Sequence, residues 1–123
     1  NGSAFAPQGG LRISAGGLAR LGQMLLSGGD GLLTPESFAE LIRAQWRFDG
    51  SNGDDDHGYF TAFGLGVQRI EKPDGQVWIG HPGEAYGLRA GLWVNRASGE
   101  GVVRISTGHA EDDPIGHCLD ACP

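Results

Sequence analysis

The chain is poor in basic charge, in apolar residues and in cysteine, and each shortage excludes something. Its nine Lys and Arg stand against fifteen Asp and Glu, for a net charge of −6 over 123 residues. They are scattered, with no Lys/Arg cluster and no basic helix face. That argues against nucleic acid and against anionic membrane surfaces as partners. No apolar run approaches the length of a membrane span, and no signal peptide is visible. Hydrophobic residues make up 39%, so any core is thin and gains from a partner surface. The two cysteines, Cys118 and Cys122, stand at the extreme C-terminus. Their spacing of four could bring them together on a helix, but free thiols or one intermolecular bridge is the plainer reading. No activated nucleophile is evident.

No metal or cofactor is expected either. The loop Asn52-Gly53-Asp54-Asp55-Asp56-His57 is rich in oxygen ligands, yet it fails the spacing of a calcium-binding loop and no Glu closes it. A solvated loop is expected there. His109 and His117 with Cys118 and Cys122 follow no familiar zinc pattern. There is no internal repeat and no low-complexity tract.

What the chain has in quantity is glycine, 23 residues. Much of it falls where turns are expected. The length suits one modest domain. The chain begins at Asn1 and not at Met, as expected of a processed or excised piece.

Residues 1–10 read as an irregular opening segment. Ser14 can cap a helix from Ala15, with Leu18, Leu21 and Leu25, and Met24 beside them, as its apolar stripe and Gly28-Gly29 as its stop. Gly16, Gly17 and Gly22 weaken that helix, so packing must hold it. Thr34-Pro35 opens a second helix with a buried face of Phe38, Leu41 and Ile42, ending near Gln45 or Trp46. Asp49–Gly58 is a polar loop. Strands are expected over Tyr59–Ile70, Gln76–Gly80, Leu88–Asn95 and Gly101–Thr107. Lys72-Pro73-Asp74-Gly75 and Arg96-Ala97-Ser98-Gly99 read as turns between them. Trp46, Trp78 and Trp93 are expected as core and interface residues between the sheet and its helices.

The order predicts an α+β fold: two helices, then an antiparallel β-meander of about four strands, with the helices packed on the sheet. The expected organisation is a single partial domain over 1–123, with a helical part at 1–47, the sheet at 59–107 and a tail at 108–123. Within the sheet, Trp78–Gly80 is read as a strand that breaks into a glycine-rich turn, His81-Pro82-Gly83-Glu84-Ala85-Tyr86-Gly87. Such a segment can bring backbone N–H groups and one imidazole to the edge of a cleft.

These residues resemble a known family. Gly9-Gly10-Leu11-Arg12-Ile13-Ser14, Leu18-Ala19-Arg20-Leu21 through Leu25-Leu26, Gly28-Gly29 and Leu32-Leu33-Thr34-Pro35-Glu36-Ser37 are similar to a block of the serine β-lactamase superfamily. Tyr59 with Gly64-Leu65-Gly66 resembles its Y-x-x-G-L-G strand, and Gly80-His81-Pro82-Gly83 its GH-x-G box. The likeness runs over nearly residues 8–107 and points to the class C-like branch, with its D,D-peptidases, D-aminopeptidases and esterases.

The resemblance implies the C-terminal portion of a serine hydrolase acting on amide or ester bonds, periplasmic or secreted. In that family a serine of an S-x-x-K box attacks the carbonyl, a Tyr of a Y-x-N box assists, and a third box lies on an edge strand. Here the third box would be His81-Pro82-Gly83. Glu84 would give its backbone N–H to the oxyanion hole, Gly83 would admit the substrate, and Pro82 and Tyr86 would line its pocket. Neither S-x-x-K nor Y-x-N occurs in these 123 residues, so this chain alone is expected to be silent. Pro82 replaces the hydroxyl that grips a substrate carboxylate, and Gly17 stands where the family often has Asp. The expected partners are a small-molecule or peptide substrate and a missing N-terminal lobe, or self-association in its place. The rival class is a non-catalytic module binding peptide or cell-wall fragments along the sheet edge.

Overall fold

Ser14 and Gly28 bound the first helix. The computed structural model describes residues 10–56, 58–85 and 87–110. His57, Tyr86, His117, Cys118 and Cys122 lie outside the described residues. Helix α1 runs Ala15–Ser27: the Ser14 hydroxyl accepts from the Gly17 N–H, and Gly28 closes the helix in the left-handed region at φ 81°. Its buried stripe differs from the one expected. Gly22 and Leu25 are buried, Leu18 and Met24 are half-buried, and Leu21 faces solvent. A Cβ on Gly22 would lie 2.8 Å from Leu92 Cδ1. The glycine lets α1 settle onto the sheet, and that contact turns Leu21 outward.

Helix α2 runs Pro35–Ile42, capped by the Thr34 hydroxyl, which accepts from the Ser37 N–H. It stops earlier than expected because the sheet takes its last carbonyls. Leu65 N–H donates to the Leu41 carbonyl at 2.9 Å, and Arg69 Nη1 donates to the Ile42 carbonyl at 2.6 Å. The chain then enters the sheet, with Gln45 N–H donating to the Phe63 carbonyl at 2.8 Å. A two-residue strand, β1 at Trp46–Arg47, follows where helix or loop was expected.

The expected strand Tyr59–Ile70 is a hairpin. Strands β2 (Ala62–Phe63) and β3 (Gln68–Glu71) flank a tight turn in which Gly64 N–H donates to the Val67 carbonyl at 2.8 Å. Gly66 sits there at φ 74°. The Lys72–Gly75 turn leads to β4 (Val77–Ala85), which pairs with β5 (Leu88–Asn95). Strand β6 (Glu100–Thr107) completes a six-stranded antiparallel meander in chain order, where about four strands were expected. The β5–β6 turn is held by Asn95, whose Oδ1 accepts from the N–H groups of Ala97 and Ser98.

The helices cover one face of the sheet, with α1 lying across β5 and β6. Leu25 and Phe38 pack on Ile79, Leu92 and Val94, and Leu18, Met24, Leu33, Leu41, Ile42 and Val103 close around them. Each fully buried side chain of this kind contributes about 1.5–3 kcal/mol. The opposite face carries Trp78 and Trp93, packed with Tyr59, Ile70 and Val102. Strand alternation sends these two tryptophans away from the helices, so they do not form the expected sheet–helix interface. The architecture is α+β. Among the described residues no helix is long and apolar enough to cross a membrane.

Candidate active site

Strand β4 does not break at Gly80. It runs on through His81, Pro82, Gly83 and Glu84, paired in order with Leu92, Gly91, Ala90 and Arg89 of β5. Gly80, which reads as the end of a strand, and Pro82, which reads as part of the turn, are compatible with this longer strand for two separate reasons. At Gly80 a Cβ would run into the Leu92 carbonyl and approach Trp93 Cε3 at 2.8 Å, so only glycine fits between the strands. At Pro82 the missing N–H costs nothing, because that position faces an open edge.

The register shows which edge. Lys72 N–H donates to the Gln76 carbonyl at 2.8 Å, so that pair is hydrogen-bonded. Bonding alternates along an antiparallel ladder, so Trp78 and Gly80 aim their backbone groups at Ile70 and Gln68 of β3. By the same alternation Ile79, His81, Gly83 and Ala85 bond to β5, while Pro82 and Glu84 turn back to the β3 side. Strand β3 begins at Gln68, opposite Gly80. Beyond it no described strand covers β4. The Glu84 N–H and the Pro82 carbonyl therefore point out of the sheet edge.

His81 is exposed, and its Nδ1–H donates to the Pro82 carbonyl. A carbonyl can only accept, so this bond leaves Nε2 as the basic nitrogen of the neutral ring. Gly83 has no steric need to be glycine: a Cβ there would meet only Ala90, at an ordinary 3.6 Å. The Glu84 carboxylate forms a 3.0 Å ion pair with Arg89, whose side chain is only 5% exposed. That fixes the Glu84 side chain within the sheet and leaves its backbone N–H to face the edge. The residues expected at a site, His81, Pro82, Gly83 and Glu84, thus lie together in one half-open strand. Tyr86 lies outside the described residues.

Other features surround this edge. Phe63, whose ring centroid is 6.5 Å from that of His81, continues into Phe60 at 5.7 Å and Trp46 at 6.1 Å. No motif pointed to this aromatic wall, because its rings come from β1, β2 and the loop between them. Ser106 Oγ lies 2.8 Å from His109 Nε2, but on β6, across β5 from β4 and on the side away from the open edge. A cavity of about 450 Å³ between Ile42, Arg69, Gln76, Val77 and Arg96 lies at the other end of β4. On β3, Glu71 pairs with Arg47 at 2.8 Å and with Arg69 at 3.0 Å. The hydrogen bond from Arg47, helped by Arg69, pulls its carboxyl from an ordinary 4.5 down to about 2. Among the described residues no group of three or more His, Cys, Asp or Glu is placed to hold a metal ion.

The family model described as Beta-lactamase matches residues 1–118, and the chain belongs to that family. Neither a curated protein nor a solved structure matches it.

Proposed function

We propose that this chain is the C-terminal part of a serine hydrolase that opens amide or ester bonds through an acyl-enzyme. The half-open strand β4 carries this reading. It presents a fixed N–H from Glu84, the donor that a tetrahedral oxyanion needs, on a rigid strand. It leaves clearance over Gly83 for a substrate backbone. It also sets His81 Nε2 at the rim, where it can hydrogen-bond a substrate or tune proton transfer. The attacking serine and the assisting tyrosine belong to boxes that this sequence does not contain. The partner is therefore an N-terminal lobe carrying them, and family membership favours a periplasmic or secreted setting.

The test is complementation. This chain is mixed with a polypeptide bearing S-x-x-K and Y-x-N boxes of the family and treated with a fluorescent penicillin or fluorophosphonate. Label on the serine-bearing partner only when both are present supports the reading. Label on this chain alone refutes it. A non-catalytic module using the same open edge would bind an extended peptide by strand addition. It would keep that binding when His81 is replaced by Ala.

A further inference from the structure

We propose that the aromatic pocket beside the open edge is a cage for an alkylated ammonium group. The pocket has a volume of about 370 Å³ and is lined by Trp46, Phe60, Phe63 and one carboxylate, Asp54. Its rings are inclined to one another and not stacked: Trp46 and Phe63 at 55°, Phe60 and Phe63 at 45°. Three half-buried rings line one space and offer it aromatic surface, which attracts a cation. The loop closes against Trp46 through Gly53, where a Cβ would lie 3.3 Å from Trp46 Cζ2.

The charge at the mouth selects the ligand. Asp54 Oδ1 accepts from the Asp56 N–H at 2.9 Å, which orients the carboxylate and leaves Oδ2 available. The nearest cation in sequence, Arg47, alternates to the opposite face of the sheet and is tied to Glu71 through two bonds of 2.8 and 2.9 Å. Among the described residues no basic group lines the pocket. A neutral sugar stacks on one flat aromatic platform, which these inclined rings do not form, and an anion would be repelled by Asp54. A compact cation with apolar methyl groups satisfies both the rings and the carboxylate. The ligand class is therefore a trimethylammonium or similar alkylammonium head. Phe63 joins the cage to His81, so a substrate lying along β4 would place its charged end there. That last placement rests on the hydrolase reading, whereas the cage does not.

The test uses this chain as it stands. The indole N–H resonances are followed by NMR during titration with choline, and separately with its neutral isostere 3,3-dimethyl-1-butanol, at constant ionic strength. Trp78 and Trp93, each 1% exposed, serve as internal references. Choline is expected to shift the Trp46 signal saturably and to bind about tenfold or more tighter than the isostere. Asp54→Asn, an exposed loop change, should weaken choline several-fold. Trp46→Leu should abolish binding in a chain whose circular dichroism is unchanged, and Asp30→Asn should change nothing. Equal binding of the two ligands, an unaltered affinity in Asp54→Asn, or no saturable shift at Trp46 would overturn the proposal. Because no serine is involved, failure here leaves the complementation test untouched.

Discussion

Replacing Gly80 and Gly83 in turn by Ala separates what the sheet needs from what the site needs. The two glycines lie on the same strand, three residues apart, and each resembles a family position. Their surroundings differ. A Cβ at Gly80 would collide with the Leu92 carbonyl and stand 2.8 Å from Trp93 Cε3. Neither neighbour can yield cheaply: one is ladder backbone, and the other belongs to an indole that is 1% exposed. Relief requires β4 and β5 to part, at about 1 kcal/mol for each ladder bond lost, on top of the 1–3 kcal/mol usual for overpacking. Gly80→Ala should therefore cost about 3 kcal/mol or more. At Gly83 the added methyl meets only Ala90 at 3.6 Å, and Ala loses less backbone entropy than Gly on folding. Gly83→Ala should be neutral or stabilising by about 0.5 kcal/mol, yet it should impair acylation once the complementing lobe is present. Urea unfolding followed by circular dichroism and tryptophan fluorescence gives both stabilities. If Gly83→Ala destabilised as much as Gly80→Ala, or if Gly80→Ala were tolerated, the register and the open edge drawn from it would both be wrong.

Other outcomes follow from the same geometry. Glu84→Ala removes an ion partner of a nearly buried guanidinium and should cost about 2 kcal/mol by urea unfolding, with no loss at Glu84→Gln beyond the charge component. Asn95→Ala breaks the bonds that hold the β5–β6 turn at a buried position and should cost about 2 kcal/mol by thermal melting. Glu71 binds its proton less readily folded than unfolded, so its contribution is complete above pH 4.5 and is lost as pH falls toward 2. The pair is partly solvated, so the loss should be only about 1 kcal/mol; it should disappear in Glu71→Gln and shrink at high salt, by acid titration of stability.

Three helix ends are legible because local chemistry sets them: Ser14, Thr34 and Gly28 act within a few residues of themselves, whereas the end of α2 is set by the sheet. Leu21 was misplaced because its orientation depends on how closely Gly22 approaches Leu92, a contact distant in sequence. Strands β1 and β2, two residues each, are too short to carry a period and exist only through their partners. From the sequence alone Gly80 reads as the end of a strand, and Pro82 and Gly83 read as turn-makers. In the sheet one glycine is a packing requirement, and the proline stands where the ladder asks for no donor. The residues proposed as the third box, His81-Pro82-Gly83, are singled out by the family likeness. The aromatic pocket is not, since Trp46, Phe60 and Phe63 meet only when the meander folds. Trp78 and Trp93 read as core from the sequence, but their face is fixed only once the register is known, and it is the one away from the helices.

The edge itself can be read most directly by amide hydrogen exchange of β4. The Glu84 N–H, pointing away from β5 with no described strand beyond it, should exchange about a hundredfold or more faster than the N–H of Gly83, which bonds to β5. A complementing lobe with a boronate bound to its serine should then slow Glu84 selectively. Equal protection of Glu84 and Gly83 in this chain would mean that the edge is covered and that no oxyanion donor is on offer.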